Sequence, residues 1–200
     1  MKITEKIDGI YMVEPFLVGF KGHYYNYVKS LYNIVDQKKL LFKIFVPKNC
    51  ATKITETIPS KRVFEKLPDD SIFNTFVGRY FTAIFKYNFH MYNGLKNISN
   101  NSELNNKLLF FGTIQHVHVF GLIFWLLFTP KSKHPAKIVL TLRLSIYRYD
   151  IKRWSLISFW YIIGFNLLFI FRKKYNIKII SDSDGLVNEF SKITKFHIEL

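Results

Sequence analysis

Four short stretches of this chain carry side chains able to bind or move charge, and each directly follows an apolar run. Glu14, Gly19, Gly22 and His23 follow residues 10–13. Thr113, Gln115 and His116 follow residues 107–111. Arg143, Tyr147 and Arg148 follow residues 137–142, and Asp182 and Ser183 follow residues 176–180. A guanidinium at the end of an apolar strand suits a phosphate or carboxylate; the plainer role for Arg143 is an ion pair with Glu14 or Asp150. His23 stands where a helix should begin, and the positive end of the helix dipole favours its uncharged ring. Such a ring can act as a base or bind a hydroxyl, or simply open the helix.

Two further clusters invite a metal reading and do not support it. His116 and His118 would share a side only on a strand; at a helix start they diverge, and no carboxylate lies near them in sequence. Asp182-Ser183-Asp184 has the D-x-D form that can hold a divalent ion on a nucleotide sugar. It stands just before a short amphipathic helix, so capping is the expected role. No metal is expected. The phosphate-loop and hydrolase signatures G-x-x-x-x-G-K-[ST], G-x-G-x-x-G and G-x-S-x-G do not occur.

The elements that must position these groups can be read from periodicity. Residues 10–13 form a strand, and a glycine-containing loop leads to a helix from His23 with Tyr24, Tyr27, Val28, Leu31 and Val35 on one side. Residues 40–46 form a strand stopped by Pro47. Residues 48–67 read as irregular, with a short strand near 61–64. A helix is predicted from Pro68-Asp69-Asp70-Ser71 to about Asn93, with Ile72, Phe73, Phe76, Tyr80, Ala83, Ile84 and Tyr87 inward and Gly94 at its end. An asparagine-rich loop, 97–106, precedes the strand at 107–111. A buried helix over 116–128, a basic turn over 131–135 and a strand over 137–142 follow. A polar, basic loop spans 145–150. A long apolar helix spans 154–171, then a strand 176–180, a short helix 185–194 and a strand from Phe196. Alternating strands and helices predict an α/β fold, a Rossmann-like doubly wound parallel sheet covered on both faces. Its ligands should bind outside the carboxyl ends of the strands.

Composition bounds the rest. Apolar residues are 49% of the 200, ample for a core. Lys and Arg number 29 against 14 Asp and Glu, a formal charge of +15 that attracts phosphate in lipid, nucleic acid or substrate. Cys50 is the one cysteine, which excludes an internal disulfide and fits a reducing compartment. Met1–Lys6 is not followed by an apolar stretch, so no cleaved secretion signal is expected. The helix at 154–171 is bracketed by Lys152, Arg153, Arg172, Lys173 and Lys174, an arrangement suited to a lipid interface.

Four pieces together resemble the amino-terminal half of retaining bacterial glycosyltransferases of the GT-B fold. They are Val13-Glu14-Pro15 through Gly22-His23-Tyr24 to Tyr27 and Ser30-Leu31; Leu109-Phe110-Phe111-Gly112-Thr113 with Gly121-Leu122; Val139-Leu140-Thr141-Leu142-Arg143 with Tyr147-Arg148-Tyr149-Asp150; and Ile179-Ile180-Ser181-Asp182-Ser183 with Leu186 and Glu189-Phe190. Lys21-Gly22 replaces the family's usual pair of glycines before the histidine. The resemblance implies that residues 1–200 are the acceptor-side domain, with the donor-binding domain absent. Gly22 and His23 would line the cleft near the transferred sugar; Arg143 and Arg148 would hold a glycan or lipid-linked acceptor, beside Thr113 and Asp182. No cofactor is then expected on this chain, a nucleotide sugar being the donor once a second domain is supplied, possible as a separate protein. Inactivity alone and a cytoplasmic place, peripheral to the inner membrane on its anionic surface, are expected. Two other readings stay open: a non-enzymatic membrane protein anchored by the 154–171 helix, and a basic nucleic-acid-binding protein.

Overall fold

The computed structural model describes residues 7–20, 23–65, 77–145, 147–148, 153–154 and 156–200. Along the chain the elements are β1 (Gly9–Val13), α1 (His23–Gln37), β2 (Leu41–Pro47), α2 (Thr52–Thr57), β3 (Ser60–Phe64), α3 (Val77–Asn101), β4 (Lys107–Phe111), α4 (His116–Phe128), β5 (Lys137–Leu142), β6 (Tyr147–Arg148), β7 (Arg153–Trp154), α5 (Leu156–Phe171), β8 (Ile177–Ser181), α6 (Asp184–Phe190) and β9 (Ile198–Glu199). Seven strands make one parallel sheet in the order β3-β2-β1-β4-β5-β8-β9, while β6 and β7 pair as a separate antiparallel hairpin. This is a Rossmann-like doubly wound α/β fold.

The topology follows from connection handedness. From β1 the chain steps outward to β2 and β3, then crosses back to β4 and proceeds the other way. Right-handed crossovers put helices of the first leg on one face and those of the second on the other. Side-chain alternation agrees. Met12 packs with Val28, Val35 and Ile54 of α1 and α2, whereas Tyr11 and Val13 pack with Leu95, Leu122 and Phe165 of α3, α4 and α5. Both faces are covered, which is why the central strands are unbroken apolar runs.

Several expectations need correction. The stretch 48–67 is not wholly irregular, since it holds α2. The α3 helix does not stop at Gly94 but continues to Asn101, taking half of the asparagine-rich loop with it. A Cβ at Gly94 would run into the Phe64 ring, so this glycine lets α3 lie close to β3. Asn101 ends the helix by donating from Nδ2 to the Asn97 carbonyl (3.0 Å) and side-chain oxygen (2.9 Å). The loop at 145–150 carries β6, and Trp154 lies in β7 rather than opening α5. The expected helix start at 68–71 and its inward Ile72, Phe73 and Phe76 lie outside the described residues. The 16 residues of α5 are about 24 Å long, short of a bilayer core of about 30 Å. Among the described residues no helix is long and apolar enough to cross a membrane.

Candidate functional site

β1 and β4 lie side by side and the chain leaves them in opposite directions, the position at which open α/β sheets bind ligands. Glu14 stands there, directly after β1. Its backbone N–H donates to the Phe45 carbonyl (3.0 Å), so the residue continues the strand. Across from it, the Gly112 N–H donates to the Val13 carbonyl (3.2 Å). A Cβ on Gly112 would strike Glu14 Oε2 and Met12 Cε. Glycine at this position is what lets the carboxyl group lie against the β4 backbone.

Glu14 is fully buried, and among the described residues neither carboxyl oxygen has a hydrogen-bond partner. Burial pushes its pKa up to about 8; the Phe16 amide and the Arg143 charge oppose the shift without cancelling it. At neutral pH the group is therefore mostly an uncharged acid, able to donate as well as accept. Thr113, next after Gly112, is also buried, with Oγ1 unbonded. The Ile114 N–H donates to the Thr141 carbonyl (3.1 Å), which ties this loop to β5.

Arg143 leaves β5 and brings the cation. Its guanidinium carbon stands 3.7 Å from the centre of the Tyr27 ring, and its Nε lies 3.4 Å from Asp182 Oδ2. The Arg143 side chain is 12% exposed and that of Asp182 57%, so the pair runs from the interior to the rim. Beyond this ion pair, one terminal nitrogen of Arg143 has no hydrogen-bond acceptor among the described residues. Burial raises the pKa of the Tyr27 phenol, an effect the Arg143 charge partly offsets.

An aromatic path joins the rim to the core. The exposed His23 ring lies 4.0 Å from Tyr24; Tyr24 stacks on Phe16 at 5.6 Å, and Phe16 lies 5.1 Å from His118. His118 is buried, with both ring nitrogens unbonded among the described residues, and desolvation, helped by His116, lowers its pKa to about 3. Burial likewise takes His116 down to about 4, with its ring 5.5 Å from Tyr161. Among the described residues no cluster of three metal-binding side chains occurs.

The parallel sheet thus sets His23, Thr113, Arg143 and Asp182 beyond the same edge, and of these Arg143 and Asp182 meet directly. Asp182 does not serve as a cap. Ser183 is the N-cap residue of α6 without a side-chain cap bond, and Asp184 sits in the first turn. Arg148 lies in β6 opposite Arg153, and Gly22 lies outside the described residues. Sequence reasoning names Glu14 among the groups beyond the first strand, weighs His118 only as a metal ligand, and passes over Tyr27, which it places on the inner side of the first helix. The available signal for Glu14 is an acidic residue ending an apolar strand with no polar residue before it. Two cavities lie elsewhere. One of about 550 Å³ is beside β3 and α3, with Lys48, Arg62, Glu65 and His90 in its wall. The other, of about 460 Å³, is at the opposite edge of the sheet.

What this end of the sheet offers is a set of buried hydrogen-bonding groups, Glu14, Thr113 and His118, with the Arg143 guanidinium between them and the surface. That set suits a hydroxyl-rich ligand carrying a negative group. The chain matches no protein-family model and shows significant similarity to no curated protein.

Proposed function

We propose that the carboxyl end of the sheet, beyond β1 and β4, binds the acceptor of a glycosyl transfer, the chain being the acceptor-binding half of a GT-B glycosyltransferase. A glycan or lipid-linked sugar supplies the hydroxyls, and its phosphate or carboxylate pairs with Arg143. The observation that carries this reading is the buried Glu14 carboxyl, its pKa pushed up to about 8, beside the point where strand order reverses and within electrostatic reach of Arg143. A nucleotide-sugar site would be supplied by a second α/β unit, on a partner or elsewhere on the same polypeptide.

The test is transfer from a panel of nucleoside-diphosphate sugars to polyprenyl-phosphate-linked sugars and to free oligosaccharides, with and without a candidate donor-domain protein. Transfer that needs both components, and falls at least roughly tenfold with Arg143→Ala, is expected, because a charge-assisted hydrogen bond contributes about 1.5–3 kcal/mol. Transfer by residues 1–200 alone overturns the half-enzyme reading. Steep, salt-dependent affinity for oligonucleotides with no binding of any acceptor overturns the carbohydrate reading.

A further inference from the structure

Helices α4 and α5 pack side by side on the second face of the sheet, and neither contains a charged residue. Their inward positions are spent on the core through Leu122, Trp125, Phe165 and Leu168. Their outward positions are equally apolar. Phe124, Leu127 and Phe128 stand exposed along α4, as do Phe159, Leu167 and Ile170 along α5, with Phe128 and Ile170 each 70% exposed. Soluble surfaces seldom keep a contiguous apolar area of this kind uncovered.

The border of this face says what covers it. Both helices are crossovers in a parallel sheet, so they run the same way and finish at the same edge. There α4 is followed by Lys131 and Lys133, and α5 by Arg172, Lys173 and Lys174. Between Glu103 and Asp182 the sequence holds a single acidic residue, Asp150. At this edge lies the cavity of about 460 Å³, whose wall includes Lys131, Lys173 and Lys174 together with Asn105, Asn106 and Asn176. Among the described residues none of these lysines pairs with a carboxylate. Protein-docking surfaces carry polar rims of mixed character. An apolar plane bordered by Lys131, Lys133, Arg172, Lys173 and Lys174, with Asp8 at the far side of the cavity paired to Lys107, is the arrangement of an interfacial lipid-binding surface.

We propose that the outer face of α4 and α5 docks on a bilayer containing anionic phospholipid, with a headgroup phosphate entering the cavity lined by Lys131, Lys173 and Lys174. The ammonium groups and asparagine amides donate to the phosphate oxygens, and the exposed phenylalanine, leucine and isoleucine side chains enter the acyl boundary. This docking does not depend on what the carboxyl edge binds.

Co-sedimentation of the full chain with phosphatidylcholine vesicles, with and without phosphatidylglycerol, tests it. Binding is expected only when the anionic lipid is present. Reversing Lys131, Lys173 and Lys174 to Glu should weaken it at least roughly tenfold, given the contribution of each basic residue near a charged surface. Phe124→Ser with Phe128→Ser should weaken it comparably. Reversing the exposed Lys29, Lys38 and Lys53 on the α1 and α2 face removes the same charge and should change binding by less than about threefold. In the unaltered chain, brominated lipid should quench the fluorescence of the partly exposed Trp160, an outcome independent of whether any variant folds. Equal loss from both lysine sets would reduce the attraction to net charge and overturn the docking face. Absence of vesicle binding would also overturn it, as would a dimer that the two serine substitutions dissolve.

Discussion

Glu14 and His118 pull the stability of this protein in opposite directions as pH changes. A carboxyl whose folded pKa is raised holds its proton more tightly in the native state than in the unfolded chain. The Glu14 contribution is therefore complete below its ordinary value of 4.5 and is lost as pH climbs through about 8. A buried histidine with a lowered pKa works the other way: the His118 contribution is complete above 6.5 and is lost as pH falls toward about 3. Glu14→Gln is expected to flatten the fall in stability between about pH 4.5 and 8, and His118→Leu that between about pH 6.5 and 3, each read from urea denaturation across a pH series. A Glu14→Gln profile that follows the parent up to pH 8 would mean that the carboxyl is charged in the native state. Gly112→Ala should cost about 1–3 kcal/mol, because the new methyl must displace Glu14 or Met12. Gly19→Ala, with open space around the added methyl, should cost far less on the same denaturation curves. None of this is visible in the residue types. The sequence offers Glu14 as a group beyond the first strand and a partner for Arg143, but its burial depends on a glycine nearly a hundred positions away.

At the scale of elements, the contact between α3 and α4 rests on one glycine and two polar ties. Gly121 brings the α4 backbone against Asn88 and Met91, and its N–H donates to Asn88 Oδ1 at 2.9 Å. Asn88 Nδ2 in turn donates to the Ile84 carbonyl at 2.9 Å. One helical turn further on, Trp125 Nε1 donates to Ser99 Oγ at 2.7 Å, and that hydroxyl donates to the Leu95 carbonyl at 3.0 Å. Gly121→Val should separate the helices and destabilise the fold by roughly 1–3 kcal/mol or more, measured as a lowered thermal midpoint. Strands and long helices are legible in the sequence because apolar runs and breakers such as Pro47 and Gly112 punctuate them. α2 is not, since six residues with Ile54 alone buried hold too little periodicity. Gly94 misleads for a related reason. Glycine ends helices by its conformation, but here it is required by its size, and only the position of Phe64 reveals which.

For the whole molecule, self-repulsion is the main electrostatic quantity. A formal charge of +15 on 200 residues opposes compaction. Salt screens that repulsion, with a Debye length of about 10 Å at 0.1 M. The urea midpoint is therefore expected to rise as sodium chloride is increased from millimolar to a few tenths molar. A midpoint that stays level would show that local ion pairs already balance the excess. The overall fold is legible from alternation of strands and helices, because a parallel sheet needs a crossover between every pair. Strand order is less so, since the return from β3 to β4 is fixed by packing of both faces rather than by any residue in between.

That return has a consequence for how the polypeptide is made. β1 pairs with β2 on one flank and with β4 on the other, residue for residue from Gly9 to Val13. β4 leaves the ribosome long after β1. At elongation rates of about 5–20 residues per second, the delay is roughly five to twenty seconds. Throughout it the central strand of the finished sheet presents an open, apolar edge, which other nascent chains can pair with. Slowing translation before Lys107 should therefore raise aggregation of newborn chains, measured as the insoluble fraction of freshly made protein.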